Sequence, residues 1–177
     1  MSELWDVYDR ERVKTGRTMV RGDAIAPGDC HVVVHVCIIN SRGEMLIQQR
    51  QPFKEGWPNM WDLTVGGSAL AGDTSAQAAR RELLEELGVA LDFTDMRPQL
   101  TVNFAGGFDD IYVVGADVEL CSLKLQPEEV QRADWASRER IFAMIDAGEF
   151  IPYHKSLIAL LFDVKGRLGA QTGRAHG

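Results

Sequence analysis

Three carboxylates at helical spacing, Glu82, Glu85 and Glu86, are the side chains of this sequence with the most chemistry in them. At i, i+3 and i+4 they share one helix face within a few ångströms of each other. Like charges so placed repel at roughly 0.2–0.5 kcal/mol per pair. A divalent cation among their oxygens would turn that repulsion into attraction, because hard cations take carboxylate oxygens. The competing reading of these residues alone is a solvated acidic face, partly neutralised by Arg80 and Arg81. The flanks favour the metal. Gly66, Gly67 and Gly72 are expected to form a loop free to take positive φ and to bring backbone near a ligand. Thr74 and Gln77 have the spacing of a capping box, and Gly88 stands where a C′ glycine closes a helix. Ala79, Leu83 and Leu87, with Leu84 beside them, form an apolar stripe that anchors this helix on a core.

The elements that must position the helix follow from the patterning around it. Leu4 to Tyr8 and Thr18 to Arg21 read as a short hairpin about a turn near Lys14-Thr15-Gly16. An apolar strand is predicted over His31 to Asn40, stopped by Asn40-Ser41-Arg42-Gly43, with Glu44 to Arg50 as its antiparallel partner. Gln51 to Trp61 is a loop, and Asp62 to Val65 a short strand leading into the glycines. Further strands are predicted at Gln99 to Phe104, Ile111 to Ala116 and Val118 to Leu123, with residues 105–110 as a connecting loop. Ser137 caps a helix over 138–147, and a last helix covers 153–164. The polar, glycine-rich segment 166–177 is expected to be a flexible tail. This order suits an α/β (α+β) fold, a sandwich with a mixed β-sheet between helices. We read a single domain over 1–165, made of the hairpin (1–28), a core (30–140) and C-terminal helices (137–165).

With 177 residues the chain can bury a sizeable core. Its formal net charge of −7 argues against broad attraction to a nucleic acid polymer or an anionic membrane. The first residues carry charge without an apolar run, and no stretch is long and apolar enough to span a bilayer, so a cytoplasmic location is expected. Cys30, Cys37 and Cys121 fit neither a disulfide framework nor a zinc pattern. Cys37 and Cys121 read as small buried residues.

The segment from Gly67 to Val89 resembles the Nudix box, Gly-x5-Glu-x7-Arg-Glu-aliphatic-x-Glu-Glu-x-Gly-aliphatic. Gly67, Arg81, Glu82, Leu83, Glu85, Glu86, Gly88 and Val89 match in register, and Asp73 stands where the pattern has Glu, its arm shorter by about 1.5 Å. The resemblance extends to Leu46-Ile47-Gln48-Gln49-Arg50, Gly56-Trp57-Pro58, Trp61-Asp62 and Gln126-Pro127-Glu128-Glu129-Val130. It implies a Nudix-like α/β/α sandwich and hydrolysis of a diphosphate linkage in a nucleoside diphosphate derivative, a small-molecule substrate, with Mg2+ or Mn2+ as cofactor. By the same resemblance Glu85 and Glu86 are metal ligands, Glu82 a ligand or the base, and the Gly66 carbonyl a further ligand. Arg81 orients a glutamate, and Gly67 meets the substrate; Arg50 and Lys54 are read either as substrate-phosphate contacts or as ordinary surface charges. Glu119, Glu128, Glu129, Asp109 and Asp110 are candidates for another ligand or base. Association into a homodimer is left open. His31 and His35 lie at even spacing on one strand face and are read as core or edge histidines rather than ligands. Trp57, Trp61, Phe104 and Phe108 either stack a base or pack the core, with packing preferred.

Trp5-Asp6-Val7-Tyr8-Asp9, Gly16-Arg17 and His31-Val32-Val33 also resemble the isopentenyl-diphosphate isomerase branch of that superfamily. An isomerase would need a cysteine just before the box, where this chain has Gly66 and Ser68, so isomerisation ranks second. A nucleotide-sensing module without turnover ranks third, since such modules lose box carboxylates and this chain keeps Glu82, Glu85 and Glu86.

Overall fold

The computed structural model describes residues 2–167 and 169–172. Strand β3 (His31–Ile39) sets the architecture, because its side chains alternate between two apolar environments. Val32, Val34, Val36 and Ile38 share a core with Ala78, Ala79, Leu83 and Leu87 of helix α1 (Ser75–Leu87). Cys37 and Ile39 point the other way, into a core with Ile141 and Met144 of α2 (Arg138–Asp146) and Ile158 and Leu161 of α3 (Lys155–Asp163). A period of two on a strand buried on both faces is what a sheet between helices demands. The sandwich expected from the sequence is the observed fold.

On one edge β3 runs parallel to β8 (Gly107–Gly115), in register from His31↔Gly107 to Ile39↔Gly115, and β7 (Leu100–Phe104) pairs antiparallel outside β8. On its other edge β3 pairs antiparallel with β6 (Val65–Ser68). The expected partner β4 (Met45–Arg50) is antiparallel but meets β3 at a single pair, Ile39↔Met45. It then lies between β5 (Trp61–Asp62) and β9 (Val130–Ala136). Thr64 explains the divergence: fully buried, its hydroxyl accepts the Ile38 N–H at 2.9 Å and donates to the Leu46 carbonyl, satisfying two backbones too far apart to pair directly.

Four local expectations are corrected. The hairpin β1 (Leu4–Tyr8) and β2 (Lys14–Val20) turns at residues 9–13 rather than at Lys14-Gly16, because Asp9 Oδ1 accepts the N–H groups of Glu11 and Val13, each at 2.9 Å. Residues 107–110 are strand, not loop: a Cβ at Gly107 would stand 1.9 Å from the His31 carbonyl oxygen, so glycine here permits close strand approach rather than a turn. Residues 118–123 contain a 3-10 turn, Leu120–Ser122, instead of a strand, and Cys121 is exposed rather than buried. The strand following it is β9, whose polar sequence hid it. Residues 168 and 173–177 of the expected tail lie outside the described residues. Among the described residues no helix is long and apolar enough to cross a membrane.

The hairpin docks on the rest of the fold at several points. Trp5 stacks on His31 with ring centroids 4.2 Å apart, and Arg12 grips the buried Asp110. Leu4 O accepts Ala71 N–H at 2.7 Å, and Asp6 accepts Gly72 N–H at 2.9 Å, so the hairpin also buttresses the loop that opens α1.

Candidate active site

Helix α1 begins and ends as its sequence dictates. The Thr74 hydroxyl accepts Gln77 N–H at 3.2 Å while the Gln77 side chain accepts Thr74 N–H at 2.8 Å, and Gly88 closes the helix at φ 69°. Ala79, Leu83 and Leu87 are buried, but Leu84 is 48% exposed and does not belong to the stripe. The opposite face carries the charge. Arg81 donates to Glu82 at 2.9 Å, to Glu85 at 3.2 Å and to the Ser68 carbonyl at 2.9 Å, and its Nε lies 3.4 Å from Asp73. The shorter arm of Asp73 thus still reaches the arginine. Asp73 also turns the loop through contact with Leu70 N–H at 3.3 Å.

Gly66 and Gly67 are strand residues without positive φ, contrary to the expected flexible loop; Gly72 alone of the three has it, at 92°. What the first two glycines supply is room. A Cβ on Gly67 would stand 2.2–2.5 Å from the Glu82 carboxyl group, and one on Gly66 would strike the His35 ring at 2.5 Å. Gly67 therefore leaves the space into which Glu82 projects from α1.

Glu86 is the most demanding residue of the group. It is 5% exposed, and its hydrogen-bond partner is the Gln48 side-chain amide at 3.3 Å. Burial, then the neighbouring carboxylates of Glu82, Glu129 and Asp62, push its pKa well above the ordinary value against the opposing charge of Arg50. Burial likewise raises Glu82, with Arg81 pulling it back. The Gln48 amide oxygen beside Glu86 is buried without a partner. A buried carboxylate and an unsatisfied amide oxygen are both acceptors, the donor chemistry that a hard cation takes. No group of three or more His, Cys, Asp or Glu side chains among the described residues is already drawn together around one point. Glu82 and Glu85 instead share one nitrogen of Arg81, Nη1, at 2.9 and 3.2 Å.

The remaining expected residues distribute around this centre. Arg50 lies 3.5 Å from Asp62 and donates through Nε to the Gly56 carbonyl at 3.0 Å; Lys54 pairs with Glu129. Asp109 holds His35 Nδ1 at 2.8 Å, and Asp110 is taken up by Arg12 and Thr101, so neither is free as a ligand. For His35, burial disfavours the charged ring but Asp109 outweighs it and raises the pKa. His31 and His35 make different contacts: His31 stacks on Trp5 and meets Phe104 edge-on. Trp61 and Phe108 are buried, whereas Trp57 and Phe104 are exposed. Sequence reasoning placed Gln48 and Asp62 in resembling segments but gave them no role, and it missed Tyr153, whose hydroxyl donates to Asp62 at 2.9 Å, and Arg21, which bonds Glu3 at 2.7 Å and lies in the field of Glu129 and Glu82. Only tertiary contact reveals these roles.

A family model described as the NUDIX domain matches residues 30–161. The chain belongs to the Nudix hydrolase family. An uncharacterized Nudix hydrolase of Listeria monocytogenes is 48% identical over 163 residues, 92% of this chain and 95% of that protein. An isopentenyl-diphosphate Delta-isomerase of Corynebacterium glutamicum is 30% identical over 133 residues, 68% of this chain and 69% of that protein. Among solved structures, that of the Deinococcus radiodurans protein DR0079 is similar with a TM-score of 0.72 and 28% identity, covering 90% of this chain and 97% of that one. The Nudix box of this chain is the segment that packs α1 onto β6 and sets Glu82 against Gly67.

Proposed function

We propose that this Nudix chain, acting as one domain over residues 1–165, is a metal-dependent hydrolase that cleaves a diphosphate linkage in a nucleoside diphosphate derivative or nucleotide. The observation that carries the reading is Glu86: a buried carboxylate among other carboxylates, beside an unsatisfied amide oxygen, is stable only with a proton or a cation. Glu82, Glu85 and Glu86, with the Gly66 carbonyl, would hold Mg2+ or Mn2+. When bound, the ion supplies charge withdrawal from the diphosphate and lowers the pKa of water from about 15.7.

The chain's own residues do the rest. Arg81 orients Glu82 and Glu85, and Gly67, whose missing side chain leaves room for the Glu82 carboxyl group, lets its backbone come close to the substrate. Glu82, whose proton affinity burial raises, takes the proton of the attacking water. Arg50 and Lys54, each already beside a carboxylate, turn toward the phosphates.

The likeness to an isomerase favours a second reading, proton shuffling on a prenyl diphosphate. The thiol that chemistry needs is not at Gly66 or Ser68, and burial, with Asp62 and Asp109, keeps the fully buried Cys37 protonated. Product analysis with magnesium across nucleoside di- and triphosphates, ADP-ribose, dinucleotides and prenyl diphosphates separates the readings. Cleavage of a nucleotide anhydride is expected; isomerised prenyl diphosphate without cleavage would replace the proposal, and turnover of none would favour a sensor.

A further inference from the structure

The loop between β4 and β5 holds two large side chains in the open: Phe53 is 68% exposed and Trp57 51% exposed. Trp57 and Asn59 both take left-handed backbone, at φ 50° and 62°, a conformation that costs energy for any residue with a Cβ and persists only where surroundings impose it. Here the imposition is explicit. Arg50 Nε donates to the Gly56 carbonyl at 3.0 Å; Gln49 donates to the Asn59 carbonyl at 2.8 Å; and Gln131 donates to the Asn59 side-chain oxygen at 2.8 Å. Gln51 N–H bonds the Glu129 carbonyl at 3.0 Å. The loop is clamped at both ends of a strained turn whose tryptophan is half exposed and belongs to neither apolar core, so core packing does not account for it.

Its place does. Through the Gly56 carbonyl, the Trp57 Cα stands within about 6 Å of Arg50 Nε, and the same guanidinium reaches Asp62 at 3.5 Å and acts on Glu86. The loop also contributes Lys54, paired with Glu129. Gln49, Gln51, Asn59 and Gln131 ring the turn with amides rather than with an apolar pocket. A prenyl chain needs enclosure to leave water, whereas a planar base stacks on an indole with one face still wet. We propose that Trp57 is a pre-set stacking platform for the base of the substrate. This rests on the hydrolase reading of the carboxylate site.

The test uses the full chain with magnesium. ADP and GDP are expected to quench tryptophan emission of the inactive E86Q protein, with W57F in the same background abolishing most of the quench. Geranyl diphosphate is expected to leave emission unchanged. In the active protein W57A should raise KM for the best nucleotide substrate about 5- to 150-fold with kcat within about twofold, the range set by losing one base–aromatic stack, and W57F should restore it. W57G, which relieves the left-handed strain, should melt no lower than wild type yet share the KM defect, an outcome that a purely structural role does not give. Unchanged KM in W57A while wild type cleaves nucleotides would overturn the stacking role and leave the hydrolase standing. Equal quenching by geranyl diphosphate would overturn the assignment to a base, and a wild type that cleaves no nucleotide would overturn both.

Discussion

Glu86 is where charge and burial conflict most sharply, and removing the charge should therefore separate activity from stability. E86Q keeps the shape and can still meet the Gln48 amide, so the variant should lose at least the ~10²-fold in turnover typical of a positioned catalytic group. Without metal it should melt higher than wild type at neutral pH, by a few degrees, since an unfavourably buried carboxylate is gone. Calorimetry on the two proteins in chelator checks the sign. Gly67 offers a complementary test. The added Cβ of G67A meets the Glu82 carboxyl group, not backbone, so the side chain must swing away; kcat should fall by ten-fold or more, measured at saturating magnesium, while the thermal midpoint moves little. At this scale much was legible in advance. Glu82, Glu85, Glu86 and Arg81 declare themselves because helix spacing is local and needs no tertiary knowledge. Gln48 and Asp62 come near Glu86 through the pairing of β4 with β5, which no local pattern records.

Elements were readable where their period or caps were strong. β3 and α1 are nearly as expected, because a run of β-branched residues and a capping box specify themselves. β9 was hidden because Gln131, Arg132 and Asp134 lie on an edge strand open to water, so its alternation is mostly polar. The hairpin turn was misplaced because Gly16 suggested a turn that Asp9 makes instead. One anchor of that hairpin is Arg12 on Asp110, whose partners also include Thr101. Breaking a buried pair by removing one member costs about 3–5 kcal/mol, and Arg12 is a third exposed, so R12A should cost near the lower end, read from urea midpoints. Burial tends to raise the Asp110 pKa, but the bonds from Arg12, Ser75 and Thr101 outweigh it and hold the value below the ordinary one. A carboxyl depressed in the fold contributes stability that is present above the unfolded value, about 3.9, and is lost as pH falls through the folded value. Urea unfolding between pH 2 and 6 should show that acid loss in wild type and a flatter limb in D110N, which starts weaker.

For the molecule as a whole, metal is expected to act as a stabilising ligand. Magnesium at about a hundred times its dissociation constant would add about 2.7 kcal/mol to unfolding, and a domain of this size gains about 2–4 °C per kcal/mol. A rise of several degrees in wild type, absent in E86Q, is the expected result by differential scanning fluorimetry. The two-faced core that makes this transmission global, with α1 on one side of β3 and α2 and α3 on the other, was foreseeable from the apolar run of β3. Its parallel seam with β8 was not, since nothing local ties His31 to Gly107. That seam has a consequence for biogenesis. During synthesis the innermost strand waits without its parallel neighbour until residues 107–115 have left the ribosome, and by then the acidic helix has long been made. Nascent chains stalled before that point should therefore be protease-sensitive throughout, helix included, and resistance should arrive in one step rather than piece by piece.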